Sequence, residues 1–193
     1  MPTKGRRNIT DPKALRALAH PLRMRLLQLI GQEGTLTATQ CAALVGESVA
    51  NCSYHLNMLG KYDYIEQAEG GQGREKPWRV VHEGHSWTNV NSDPDAALAA
   101  EMASNAYLEF AFDLIRERHR VEHLEPDDWR DALGFSNSTE FLTPAELAAL
   151  RQEIHNLTQK YKDRRDDPSK RPAGARPVYF LTSTTVEPRI KPD

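Results

Sequence analysis

The sequence predicts a mainly α fold with one small β-hairpin, followed by a helical C-terminal extension. Three observations carry this. Apolar residues recur at three- and four-residue steps over 12–59 and again over 94–161. Residues suited to capping stand where those periodic runs begin. Between the two runs, "YDYIEQAE" and "KPWRVVH" read as strands joined by the glycine-rich "GGQGRE".

The elements follow in order. "TDPKALRALAHPLRMRLLQLIGQEG" reads as two helices, with Thr10 or Asp11 capping the first and Pro12 early in it. Pro21 opens the second, which Gly31 or Gly34 ends. Leu15, Leu18, Leu22, Leu26, Leu29 and Ile30 recur over the two helices at three- and four-residue steps, as an inward-facing stripe requires. "TLTATQCAALVGES" is a third helix, in which Thr37 and Gln40 have capping-box spacing. Cys41, Ala42, Leu44 and Val45 supply its apolar face, and Gly46 suits a left-handed stop. Two residues on, Ser48 caps a fourth helix, so the third and fourth cross steeply as a helix-turn-helix. On the fourth, Val49, Cys52, Leu56 and Leu59 fall on one face, while Asn51, Tyr54 and Asn57 fall on the other. Ser53 and His55 lie on its flanks. With the hairpin after it, the arrangement is a winged helix.

Asp93 and Pro94 then open a helix of about 28 residues, on the order of 40 Å long. Between Ala106 and Ile115 its apolar side chains go nearly all the way round, as in a helix buried on most sides. A short helix is expected around Trp129. Thr143, Pro144 and Glu146 make a strong helix start, and Leu147, Leu150, Ile154, Leu157 and Tyr161 follow as a short heptad seam. "VYFLTSTTV" reads as one strand near the end.

The 193 residues are 39% hydrophobic and 27% charged, which places the chain among soluble globular proteins. No apolar run reaches the length of a membrane span, and "MPTKGRRNIT" has no apolar stretch behind it, so a cytoplasmic protein is expected. Two cysteines, Cys41 and Cys52, make no disulfide framework. The net charge of −2 hides an asymmetry: residues 1–81 hold 11 Lys and Arg against 7 Asp and Glu, and residues 82–193 hold 14 against 20. A basic first part points to a nucleic-acid partner for that part alone.

"LAHPLRMRLLQLI", "SVANCSYHLNMLGKYDYIEQAE" and "GREKPW" together resemble the ArsR-type winged-helix family of bacterial transcription regulators, over residues 11–82. His20-Pro21-Leu22-Arg23 and Ser53-Tyr54-His55-Leu56 are the most specific parts of the resemblance. It implies a DNA-binding repressor or activator that works as a homodimer. The Cys-x-Cys pair of that family's metal-sensing branch falls on Thr37 and Thr39 here. Of a second family metal site, His119 and Glu122 fit half, and its other Asp and His are missing. No metal or cofactor is expected.

The chain thus divides into a flexible basic arm (1–10), a winged helix-turn-helix domain (11–90) and a helical dimerisation and effector region (91–193). The fourth helix carries hydrogen-bonding side chains but no charge before Lys61. In DNA recognition, charges bind phosphates while hydrogen bonds to base edges read sequence. Ser48, Asn51, Ser53 and Tyr54 are therefore the candidate base-reading residues, with Asn51 able to pair with adenine. His55 and Asn57 are placed at the DNA backbone, though a structural hydrogen bond is an equal reading for His55. In the wing, Gln72, Arg74 and Lys76 can supply the positive charge the helix lacks and reach a minor groove, or else form a solvated loop. Trp78 reads as the hairpin's packing anchor. Tyr107, Phe110, Phe112 and Leu114 on the long helix read as a dimer core, or as the lining of a small-molecule effector pocket. Cys41 and Cys52 are core residues or a redox pair. No phosphate loop, nucleophile elbow or His-Glu-x-x-His motif is present, so no residue set points to catalysis. The rival reading is a winged helix that binds proteins, with the acidic remainder recruiting a partner helix.

Overall fold

The computed structural model describes residues 5, 7–70, 75–82 and 84–186, except the Asp166 side chain. Four helices form the N-terminal domain: α1 (Pro12–Leu18), α2 (Pro21–Glu33), α3 (Ala38–Val45) and α4 (Val49–Lys61). Asp11, rather than Thr10, caps α1 through a bond from the Lys13 N–H. α2 runs through Gly31 and stops at Gly34. The capping box at Thr37 and Gln40 is formed in both directions. Gly46 adopts φ 73°, the left-handed region that a side chain would strain, and so turns α3 into α4 within three residues.

Strand β2 (Ile65–Gln67) pairs antiparallel with β3 (Trp78–Val80), with Ile65 opposite Val80. Leu36 adds an isolated antiparallel bridge to β3, exchanging backbone hydrogen bonds with Trp78 at 2.8 and 3.1 Å. The hairpin is thereby stitched to the residue that leads into α3.

The core sits between α1, α2, α4 and the inner face of the long helix α5 (Pro94–Val121). Leu26, Ile30, Leu56, Leu59 and Tyr64 are fully buried there. The face that α5 turns to the domain is built of alanines: Ala96, Ala99, Ala100 and Ala103 are all buried, and α1 packs on them. Small side chains allow the two helices to approach closely, and an Arg16–Asp95 ion pair lies at the edge of the contact. Beyond α5 come the short α6 (Asp127–Ala132), then α7 (Pro144–Gln159) and α8 (Lys162–Asp166). The architecture is a winged helix-turn-helix with a helical extension.

Several expectations are corrected. The N-terminal arm is tied down from Arg7 onward. β1 (Arg7–Asn8) pairs in parallel with β4 (His85–Ser86), and Ile9 is buried. Residues 178–186 form no strand, because the extended segment finds no ladder partner; instead Tyr179 meets Tyr107, oxygen to oxygen at 3.3 Å. The third helix's Leu44 is 54% exposed, facing a groove towards α5 rather than the core. Val49 is 45% exposed, because a helical wheel gives direction but not how far along the axis the core extends. The seam's last residue, Tyr161, lies in the turn between α7 and α8.

Candidate nucleic-acid interface

The outward side of α4 is set by what anchors its inward side. Cys52, Leu56 and Leu59 are buried against the domain, which leaves Ser48, Asn51, Ser53, Tyr54 and Asn57 at least partly open. Ser48 caps the helix: its Oγ accepts the Asn51 N–H at 3.1 Å. That bond uses a lone pair and leaves the hydroxyl proton for another acceptor. Asn51 donates from Nδ2 to Glu47 Oε2 at 2.9 Å, which fixes the amide's orientation and leaves Oδ1 and the second amide hydrogen for another partner. Tyr54 is 59% exposed. Asn57 turns back on its own helix, donating to the Ser53 carbonyl at 2.8 Å. Ser53 lies half-exposed between them.

His55 differs from the expectation of a backbone-contacting flank. It is buried, with its ring 4.4 Å from the ring of His20. His20 caps α2, its Nδ1 accepting the Leu22 N–H at 3.2 Å. The imidazole pair therefore joins the start of α2 to the middle of α4. Burial holds both rings below their ordinary pKa, and each has Arg23 nearby to oppose a second positive charge. A buried neutral ring in that position packs α4 against the start of α2 and does not reach a phosphate.

The wing is fixed at its base. Glu75 accepts the backbone N–H of Thr39 at 2.9 Å, which holds its carboxyl below the usual carboxylate range and ties the hairpin to the first turn of α3. Lys76 is exposed next to it, whereas Gln72 and Arg74 lie outside the described residues. Trp78 packs against the core, as an anchor would. A Cβ added at Gly60 would come within 2.8 Å of the Trp78 ring. Gly60→Ala is therefore expected to cost roughly 1–3 kcal/mol of stability and to loosen the hairpin. Tryptophan fluorescence through a urea titration reads both; an unchanged midpoint would show that the ring does not need that approach.

Cys41 and Cys52 are both fully buried and free. Burial pushes the Cys41 thiol up to about 11, which keeps it protonated and a poor nucleophile. Of the four long-helix residues, Leu114 is buried within the subunit, while Tyr107 and Phe110 pack half-buried on the domain. Only Phe112 is largely exposed. Phe110 and Leu114 do line a groove of about 650 Å³ with Leu22, Leu44 and Val45. Among the described residues, no helix is long and apolar enough to cross a membrane.

Residues 18–65 match a family model described as a helix-turn-helix domain. That family is found in ArsR-type and related regulators. The match begins at the end of α1 and closes on the first residue of β2, so it spans α2, the turn and α4. No curated protein matches the chain. A helix-turn-helix of this kind is a DNA-binding module, and α4 is its second helix. Sequence reasoning missed Glu47. Its only signal is its place four residues before Asn51, a spacing that brings two side chains together on a helix start.

Proposed function

We propose that the chain is a sequence-specific transcription regulator, a repressor, that binds a palindromic operator as a homodimer. One observation carries this most: the second helix of the helix-turn-helix presents an uncharged hydrogen-bonding edge at its N-terminal end. Ser48, Asn51, Ser53 and Tyr54 form that edge, and Glu47 orients the Asn51 amide. In this reading α4 enters the major groove and Asn51 pairs with an adenine. Asn57 lies further along and touches the backbone, and Gln72, Arg74 and Lys76 of the wing hold the flanking groove. The neutral helix reads sequence, and neighbouring cations hold it down.

Selection of bound sequences from random DNA tests the reading. Two inverted half-sites are expected, with centres one helical turn or a multiple of it apart. Asn51→Ala should keep the spacing and lose the preference at one position in each half-site, worth roughly 1–3 kcal/mol of discrimination. No enriched sequence from the unaltered protein would refute the function. An unchanged preference in Asn51→Ala would refute the assigned base contact.

A further inference from the structure

From Gly34 to Gly60 the chain holds a single Asp, Glu, Lys or Arg, and it is Glu47. An exposed carboxylate thus stands alone on a module that has to approach a polyanion. Its place is fixed by the turn. With Gly46 left-handed, the N–H groups of Gly46 and Glu47 both bond the Ala42 carbonyl, at 3.0 and 3.2 Å, and Ser48 caps α4 directly after them. Because Ser48 is the cap, the helix start does not need the Glu47 carboxylate. A negative charge there gains from the helix dipole, but a dipole asks for charge alone and not for a bond to a side chain. The Glu47 carboxylate bonds the side chain of Asn51.

What that bond does follows from the chemistry of its two ends. A side-chain amide has a donor end and an acceptor end, and turning it over exchanges them. An ionised carboxylate accepts and never donates. Glu47 therefore takes the Nδ2 end of Asn51, at 2.9 Å, and repels the Oδ1 end. With the amide held that way, Oδ1 and the second Nδ2 hydrogen suit the N6–H and N7 of adenine. Guanine presents two acceptors, O6 and N7, along the same edge. There Oδ1 meets O6 acceptor to acceptor. The turned-over amide, which offers O6 its hydrogens, brings Oδ1 against the Glu47 carboxylate instead.

We propose that Glu47 is a positioning residue that sets base choice: its carboxylate bars the turned-over Asn51 amide, and so makes Asn51 take adenine and reject guanine. The inference rests on the base contact of Asn51 proposed above and deepens it by naming what decides between the two purines. Glu47 itself touches no base. Its charge is repelled by the phosphates, and that repulsion falls equally on every sequence, so it lowers affinity without altering selectivity.

The full-length protein is tested by competition binding on its selected operator. The position of interest is the one at which Asn51→Ala loses its preference, and the competitor duplex carries guanine there in one half-site. Glu47→Gln is the informative variant, because glutamine offers either an oxygen or an N–H2 and so tolerates both orientations of Asn51. Glu47 is exposed, so the variant should fold as the unaltered protein does. It should bind the adenine duplex at least as tightly and lose roughly tenfold of the adenine-over-guanine ratio. In an Asn51→Ala background the same change should leave the ratio unmoved, since no amide remains to be held. A base other than adenine selected at that position, a ratio that Glu47→Gln leaves intact, or a loss that persists without Asn51 would each overturn the inference while the Asn51 contact stands. If Asn51→Ala keeps the full preference of the unaltered protein, the base contact itself fails and the inference goes with it.

Discussion

Leu56→Ala is expected to cost the protein roughly 2–5 kcal/mol of stability. Leu56 is fully buried, between Cys52 and Leu59 on the inner side of α4. α4 packs on α3, α2 and β2, so the cavity left by the lost methyl groups would lie where these elements meet. Close-packed surroundings relax little, and the cavity adds to the lost transfer free energy. Tyr54→Ala, two residues away and 59% exposed, is the contrast. It should change stability by less than about 0.5 kcal/mol. The two variants thus separate the helix's two faces: one change attacks folding, and the other attacks DNA binding in a fully folded protein. A urea titration should show the midpoint falling for Leu56→Ala with its slope unchanged. A loss below about 1 kcal/mol would mean that α4 does not use this residue to hold its orientation.

That contrast shows which parts of the structure could be seen in the sequence. The inner face of α4, the capping boxes at Thr37 and Thr143 and the 28-residue length of α5 are all local in origin. Each depends on side chains within one or two turns, so periodicity and cap chemistry reveal it. The pairing of β1 with β4 is the opposite case. Two-residue strands carry no alternation, and their partners lie 78 residues apart. The burial of His55 was hidden for a related reason: its cover is His20, from the start of another helix. On α5 the error ran by size. Aromatic residues draw the eye to 107–114, yet the face that docks on the domain is made of Ala96, Ala99, Ala100 and Ala103. Alanine has a weak hydrophobic signal but permits the closest approach of two helices. The Asn51–Glu47 bond joins two polar residues at the surface, and their four-residue spacing by itself does not distinguish it from ordinary solvated polarity.

Stability should fall as pH drops from about 6.5 towards 5, before most carboxylates titrate. His85 is the main cause. Its ring lies 4.8 Å from that of the buried Tyr64, its Nε2 is buried without a partner, and burial lowers its pKa to about 4. His82, 6.0 Å away ring to ring, and Arg7 add repulsion to any charged form. In the unfolded chain the same imidazole takes up a proton near pH 6.5. Below that value the unfolded state binds a proton that the native state refuses, so native stability is lost as pH falls and the loss saturates near pH 4. At pH 5 the difference from His85 alone is about 2 kcal/mol. His20 and His55, also held neutral by burial beside Arg23, act in the same direction. His85→Gln removes the titrating group while keeping a polar side chain, so the variant should lose most of the slope between pH 7 and 5. Denaturant titrations across that range make the comparison. Equal slopes in the two proteins would show that His85 is not the neutral, buried ring that closes β1 onto β4. If most of the slope disappears in the variant, the ring beside the β1–β4 pairing is the main proton-sensitive group of the domain, and His20 at the start of α2 and His55 on α4 supply the remainder.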